Sequence, residues 1–203
     1  VAEEMDLIVA LDWMMLEQVC AFFGAHRELD GCAVSVNFSA RQFLAPDAER
    51  RVLDTLERHG LAPVRLKLEL TERVLAGDIR RVRAVMEALA ARGVEFYLDD
   101  FGTGYSNLSS VVSLPLQYVK VDRSLLEAAT NGGGGALLLR AVVETFRAMG
   151  RGILLEGVET PEQYALACTL RADRLQGYYL ARPMPGEELC ALMCSGARRT
   201  RRT

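Results

Sequence analysis

The segment FYLDDFGTGYSNL, Phe96 to Leu108, sets two adjacent carboxylates, Asp99 and Asp100, at the end of an apolar run and follows them with two glycines. Elsewhere other polar side chains stand where apolar runs end: Asn37 in VSVNF, Glu69 in LKLEL, Lys120 in YVKV, Glu156 in ILLE and Gln176 in RLQ. Taken singly, each can be an ion pair or a cap, for example Lys120 with Asp99. Gathered in one dry site, so many carboxylates would be costly without a cation. The donors are oxygens, with no Cys or His among them, so the ion they suit is hard: Mg²⁺, Mn²⁺ or Ca²⁺ rather than zinc. Two adjacent aspartates could serve two ions, Asp99 bridging and Asp100 reaching one alone, which suits in-line displacement at a phosphodiester. The glycines allow sharp turns, but GTG lacks the spacing of a dinucleotide fingerprint and the Lys-Ser/Thr pair of a P-loop.

For these residues to converge, they must occupy the same ends of successive strands. Apolar residues at Leu7, Leu11, Met14, Met15, Val19 and Phe22 have helical period and predict a helix over about 5–24. The strand AVSVNFS follows, and Ser39 with Gln42 makes a capping-box pattern for a short helix. A helix over about 47–59 stops at Gly60, a strand covers 65–70, and Ile79, Val82, Met86 and Leu89 form one face of a helix ending at Gly93. Strands at 95–99 and 117–122 come next, then NGGGG (131–135), a flexible spacer by composition. A helix over about 136–149 precedes a strand at 152–156. Thr160, Pro161 and Gln163 then supply an N-cap, a first-turn proline and a capping-box partner. A weaker strand near 173–178 and a helix over 186–194 complete the pattern.

Six strands alternating with helices predict a parallel sheet with helical crossovers, open or closed into a barrel. Parity favours the barrel. Ser35 and Asn37 oppose Val34, Val36 and Phe38; Arg65, Lys67 and Glu69 oppose Leu66, Leu68 and Leu70; Lys120 opposes Val119 and Val121. A doubly wound sheet, covered on both faces, would read as continuously apolar, whereas one polar face suits a barrel interior. Asn37, Glu69, Asp99, Asp100, Lys120, Glu156 and Gln176 all fall at carboxyl ends, the edge where α/β folds build sites.

Composition narrows the classes. With 203 residues, half of them apolar, the chain can bury a substantial core as one domain. Its 24 Lys and Arg against 27 Asp and Glu leave no electrostatic footprint for duplex nucleic acid or anionic membrane. Cys20, Cys32, Cys168, Cys190 and Cys194 are odd in number and lack C-x-x-C spacing, which predicts a reduced, cytoplasmic setting rather than disulfides or zinc. His26 and His59 close predicted helices and neither reads as a general base. Nothing resembles a signal peptide, and LIVALDWMML is broken by Asp12 and too short to cross a bilayer, so no direct membrane insertion is expected.

The motifs VSVNFSARQF, LKLELTERVL, LDDFGTGYSNLSSVVSLPLQYVKVDRSLL and LLEGVETPEQYALACTLRADRLQGYYLARPMP together resemble the EAL-domain family of cyclic-di-GMP phosphodiesterases, in order and up to about residue 186. The resemblance implies a modified TIM barrel that uses two Mg²⁺ or Mn²⁺ ions to hydrolyse one phosphodiester of cyclic di-GMP, releasing linear pGpG. It implies that Asn37, Glu69 and Asp99 bind one ion and Asp99 with Asp100 the second, with Glu156 helping to hold the cluster. Lys120 would orient or deprotonate the attacking water, and Gln176 would hydrogen-bond in the same network. Glu72, the second acid of ELTE, would anchor the Asp-Asp loop and couple it to a dimer interface. A cation beside the attacked phosphate would stabilise the charge developing there.

The family's Glu-Ala-Leu segment, which lies upstream on an early strand and adds a metal ligand, has no counterpart here. The expectation is therefore an α/β, modified TIM (β/α)8 barrel, N-terminally incomplete, with about six βα units over residues 1–195 and a disordered basic tail over 196–203. The expected partners are cyclic di-GMP, a second copy in a homodimer, and regulatory or sensory domains of a longer protein that could tether it to a membrane. Two other functions fit the sequence. One is a catalytically inactive cyclic-di-GMP receptor, given the missing Glu. The other is a metal-assisted lyase or aldolase with Lys120 as a Schiff base. Leu155, where the family often has Ala, is a tolerable departure.

Overall fold

Leu66, Leu68 and Leu70 on one side of a strand and Lys67 and Glu69 on the other define the two faces of the sheet. The computed structural model describes residues 7–71, 78–102 and 108–195. Its strands are β1 (Val34–Asn37), β2 (Leu66–Thr71), β3 (Glu95–Phe101), β4 (Tyr118–Val121), β5 (Gly152–Leu155) and β6 (Arg174–Leu175). All pair parallel in the order β1-β2-β3-β4-β5-β6, so every strand lies beside its neighbour in the chain. Among the described residues β1 and β6 pair on one side only, and this α/β sheet matches an incomplete TIM barrel.

Nine α-helices are found among the described residues: α1 (Leu7–Ala25), α2 (Ala40–Leu44), α3 (Ala48–Arg58), α4 (Ile79–Ala91), α5 (Leu108–Ser113), α6 (Arg123–Thr130), α7 (Gly135–Ala148), α8 (Pro161–Thr169) and α9 (Gly186–Cys194). None is long and apolar enough to cross a membrane. The outward strand residues Leu66, Leu68, Phe96, Leu98, Val119, Val121, Ile153 and Leu155 are buried, together with Val82, Met86 and Leu89 of α4 and Leu139, Val143 and Phe146 of α7. Both expected capping boxes form, at Ser39/Gln42 and Thr160/Gln163.

Helices α5 and α6 are absent from the sequence reading, and NGGGG is not a spacer. Asp122 caps α6 by accepting from the Ser124 N–H (3.0 Å), and Leu126 and Ala129 pack inward. Gly132 and Gly133, at φ +90° and +75°, turn the chain directly into α7. A Cβ on Gly135 would overlap the Ala128 carbonyl, so glycine here permits close approach of two helices.

Across the middle strands the inward face is largely buried although it is polar, while Ser35 and Asn37 of β1 are exposed. Lys67, 4% exposed, places Nζ 2.8 Å from Glu95 and 2.7 Å from the Val64 carbonyl. The Tyr97 hydroxyl donates to Glu95 (3.3 Å) and accepts from Arg174, whose guanidinium lies 4.3 Å from the Tyr118 ring centroid. Gly152 faces Tyr118 in register, and a side chain there would overlap the ring. These residues form a floor at the amino ends of the strands. Burial pushes the Tyr97 hydroxyl well above its ordinary value, and the Arg174 charge opposes this only in part.

On the outside, Glu17 joins α1 to α3. It accepts from Arg58 (2.7 Å) and Thr55 (3.3 Å), and its Oε1 is 2.7 Å from His59 Nε2. The His59 hydrogen bond, supported by Arg58, holds this carboxyl below its ordinary 4.5 although burial opposes the shift. A depressed carboxyl stabilises the fold above its unfolded value and stops doing so as the pH falls through the folded one. Glu17→Gln is therefore expected to melt modestly lower than the parent at pH 7. The gap should narrow below 4.5 and vanish once the folded carboxyl is protonated, which melting curves across a pH series would read. An unchanging gap would show that packing, not charge, is what Glu17 contributes.

Candidate functional site

The end of β1 is fixed by aromatic packing. Trp13 of α1 meets Phe38 edge-on at 5.3 Å, Phe38 meets Phe43 of α2 at 4.8 Å, and the Phe38 N–H donates to the Glu69 carbonyl (2.7 Å). With Phe38 turned to the core, Asn37 faces the other way. Parallel register then carries the polar face across the sheet: Asn37 lies beside Glu69, and Thr71 beside Asp99.

Adjacent residues on a strand ordinarily point to opposite faces, so Asp99 and Asp100 should diverge. They do not, because Asp100 adopts a left-handed φ of +56° and the β3–β4 register shifts between Leu98 and Phe101. Asp tolerates this conformation better than most side chains. One carboxylate oxygen from each of Asp99, Asp100 and Glu156 consequently lies within 4.8 Å of the others. The Asp100 N–H donates to Asp99 Oδ1 (3.0 Å).

Lys120 occupies the centre of the group. It is 3% exposed, and its Nζ lies 2.7 Å from Glu69, 2.8 Å from Asp99 and 2.8 Å from Glu156. Burial works against this ammonium, but the hydrogen bonds to Asp99, Glu156 and Glu69 outweigh it and hold the group well above its ordinary value. Glu156 follows β5 directly, with its N–H donating to the Val121 carbonyl (3.1 Å). Burial raises its carboxyl, and the bond to Lys120 offsets only part of that. Three carboxylates thus share one ammonium with Asp100 beside them, and the four carboxylates leave a formal excess of three negative charges. An oxygen-only donor set with that excess fits a hard divalent cation.

Asn37, Glu69, Asp99 and Asp100 line one cavity of about 250 Å³, together with Asp12, Ser39 and Thr71. Asp12 escaped the sequence reading, although a carboxylate beside the buried Trp13 in an otherwise apolar helix run was a signal for it. Gln176 is not in this network: it is exposed, and its side chain makes no hydrogen bond among the described residues. The cause is local, since β6 ends at Leu175 and the Gln176 backbone ties to Leu155 and Val158, leaving the side chain at a neighbouring cavity of about 430 Å³ with Arg123, Glu159 and Tyr178. Glu72 and most of the loop after Asp100 lie outside the described residues.

Known proteins match this chain closely. The EAL domain family model matches residues 1–183. The bifunctional diguanylate cyclase/cyclic di-GMP phosphodiesterase MucR of Pseudomonas aeruginosa is 35% identical over 195 residues, which cover 94% of this chain and 28% of MucR. The chain spans about a quarter of the length of the curated relatives it matches. A solved PaMucR phosphodiesterase with c-di-GMP superposes with a TM-score of 0.83 at 36% identity, covering 93% of this chain and 77% of that one. Klebsiella pneumoniae BlrP1, solved with the same dinucleotide and calcium or manganese, superposes with TM-scores of 0.81 and 0.79 at 27% identity. Those superpositions cover 92% and 88% of this chain and 46% and 45% of BlrP1.

Proposed function

The chain belongs to the EAL domain family, and we propose from this that it binds cyclic di-GMP and hydrolyses one of its phosphodiesters to linear pGpG with two divalent cations, Mg²⁺ or Mn²⁺. The observation that carries the proposal is Lys120 held by Glu69, Asp99 and Glu156 beside Asp100. Asn37, Glu69, Asp99 and Asp100 would hold the two cations, and Glu156 would steady the cluster. The cations, when bound, supply Lewis-acid stabilisation of the phosphate and make water more acidic.

This chain's own residues do the rest. Without metal, three carboxylates hold the Lys120 ammonium well above its ordinary value, which favours a role as donor over one as base. It orients the attacking water and stabilises charge growing on the phosphate. The same protonation argues against a Schiff base, which requires a neutral amine. Gln176, at the rim, contacts substrate rather than Lys120. Glu72 anchors the loop after Asp100. Since the chain spans only part of its curated relatives, regulatory or sensory domains and a homodimer complete the proposed setting, in the cytoplasm.

The test is to incubate the chain with cyclic di-GMP and Mn²⁺ and separate the nucleotides chromatographically. pGpG is expected, and EDTA is expected to stop its formation. Tight binding without pGpG would assign the chain as a receptor, and failure to bind would remove both readings.

A further inference from the structure

A second charged cluster lies in the helical layer, at the sheet edge opposite the carboxylate mouth. The last turn of α7 and the end of α8 lead into the starts of β5 and β6, and between them is a cavity of about 230 Å³. Arg140, Arg147 and Arg171 line it, with Glu144 as its only carboxylate. Arg147 donates to the carbonyls of Leu170 (3.1 Å) and Arg171 (2.8 Å), so it caps α8. Attraction of cations to a helix carboxyl end accounts for Arg147. Neither Arg140 nor Arg171 is explained in this way: among the described residues their side chains make no hydrogen bond or ion pair, and Glu144 pairs with none of the three.

Arg171 is also strained. Its φ is +55°, and Asp100 is the only other non-glycine at positive φ among the described residues. Just past a helix, glycine adopts this conformation freely, whereas any side chain is penalised. An arginine here carries a cost that closing the helix does not require.

We propose that Arg140, Arg147 and Arg171 form a binding site for a phosphate monoester dianion, independent of the carboxylate mouth. Three guanidinium groups and one carboxylate leave a formal charge of two positive, and with Arg147 already turned to the α8 carbonyls, Arg140 and Arg171 supply the free forks for the dianion. Planar guanidinium forks bind phosphate oxygens in pairs. The cavity holds a phosphate group and its first substituent rather than a whole dinucleotide, and cyclic diesters carry too little charge per phosphate to match it.

The test uses the metal-free chain, titrated at constant ionic strength with inorganic phosphate, GMP and guanosine while arginine Nε–H resonances are followed by NMR. Phosphate and GMP are expected to shift the same arginine signals to saturation, and guanosine to leave them in place. Equal affinity for phosphate and GMP would identify free phosphate as sufficient, and tighter GMP binding a nucleotide terminus. Arg171→Gly is expected to melt higher than the parent without phosphate, because the strain is gone, and to bind phosphate about tenfold more weakly. Arg140→Gln should weaken binding with an unchanged melting temperature. Shifts that never saturate, guanosine shifts equal to those of GMP, or parental phosphate affinity in Arg171→Gly would overturn the proposal.

Discussion

Asp99→Asn is expected to cut cyclic-di-GMP turnover by about 10³-fold and to weaken Mn²⁺ binding while leaving the fold intact. Asn keeps the shape of the side chain but removes the charge that faces Lys120 at 2.8 Å and lies within reach of Asp100 and Glu156. Lys120 retains Glu69 and Glu156 as partners, so stability without metal should stay within about 1 kcal/mol of the parent. Melting curves, Mn²⁺ calorimetry and product chromatography on one preparation separate the three effects. Turnover within tenfold of the parent would remove Asp99 from the cation set.

Lys120→Met should behave differently, because it removes the only positive charge in the group. Without metal, Glu69, Asp99 and Glu156 are left to repel one another in a largely dry site, and breaking such a buried pair costs about 3–5 kcal/mol. A divalent cation can take over the lost neutralisation. Mn²⁺ is therefore expected to raise the melting temperature of Lys120→Met more than that of the parent, while turnover falls about 10²-fold or more. Metal occupancy and hydrolysis would then be separated in one protein. Parental turnover in this variant, or no gain in melting temperature from Mn²⁺, would contradict the role given to Lys120.

How far these residues could be read in advance depended on whether local chemistry or tertiary geometry places them. Alternation in VSVNF, LKLEL and YVKV was enough to put Asn37, Glu69 and Lys120 on one face, since strand period is a property of the backbone. The boxes at Ser39 and Thr160 were legible for the same reason: capping is decided within a few residues. Asp100 was legible as a candidate from its place beside Asp99, but its route into the mouth was not, because alternation alone turns it away and only its left-handed φ brings it back. Gln176 directly follows β6, as a strand-end residue should, but the weak strand pattern did not show that its side chain lies at the neighbouring cavity. Asp12 reaches the cavity through packing of Trp13 on Phe38, a contact between distant parts of the chain that no local pattern reports. The spacer reading of NGGGG failed similarly: glycine content signals freedom, but here it permits two helices to touch.

The strand order has a consequence for how the site comes into being. Because each strand pairs with its chain neighbours, the fold can grow unit by unit as the chain leaves the ribosome, with no early strand waiting for a distant partner. Glu69 emerges first, then Asp99 and Asp100, then Lys120, and Glu156 last. Glu69 and Asp99 therefore leave the ribosome before the lysine that neutralises both. A sheet that held β2 and β3 without β4 would carry unbalanced negative charge, and adding β4 relieves it. The fourth strand's arrival is thus an electrostatic event as well as a packing one.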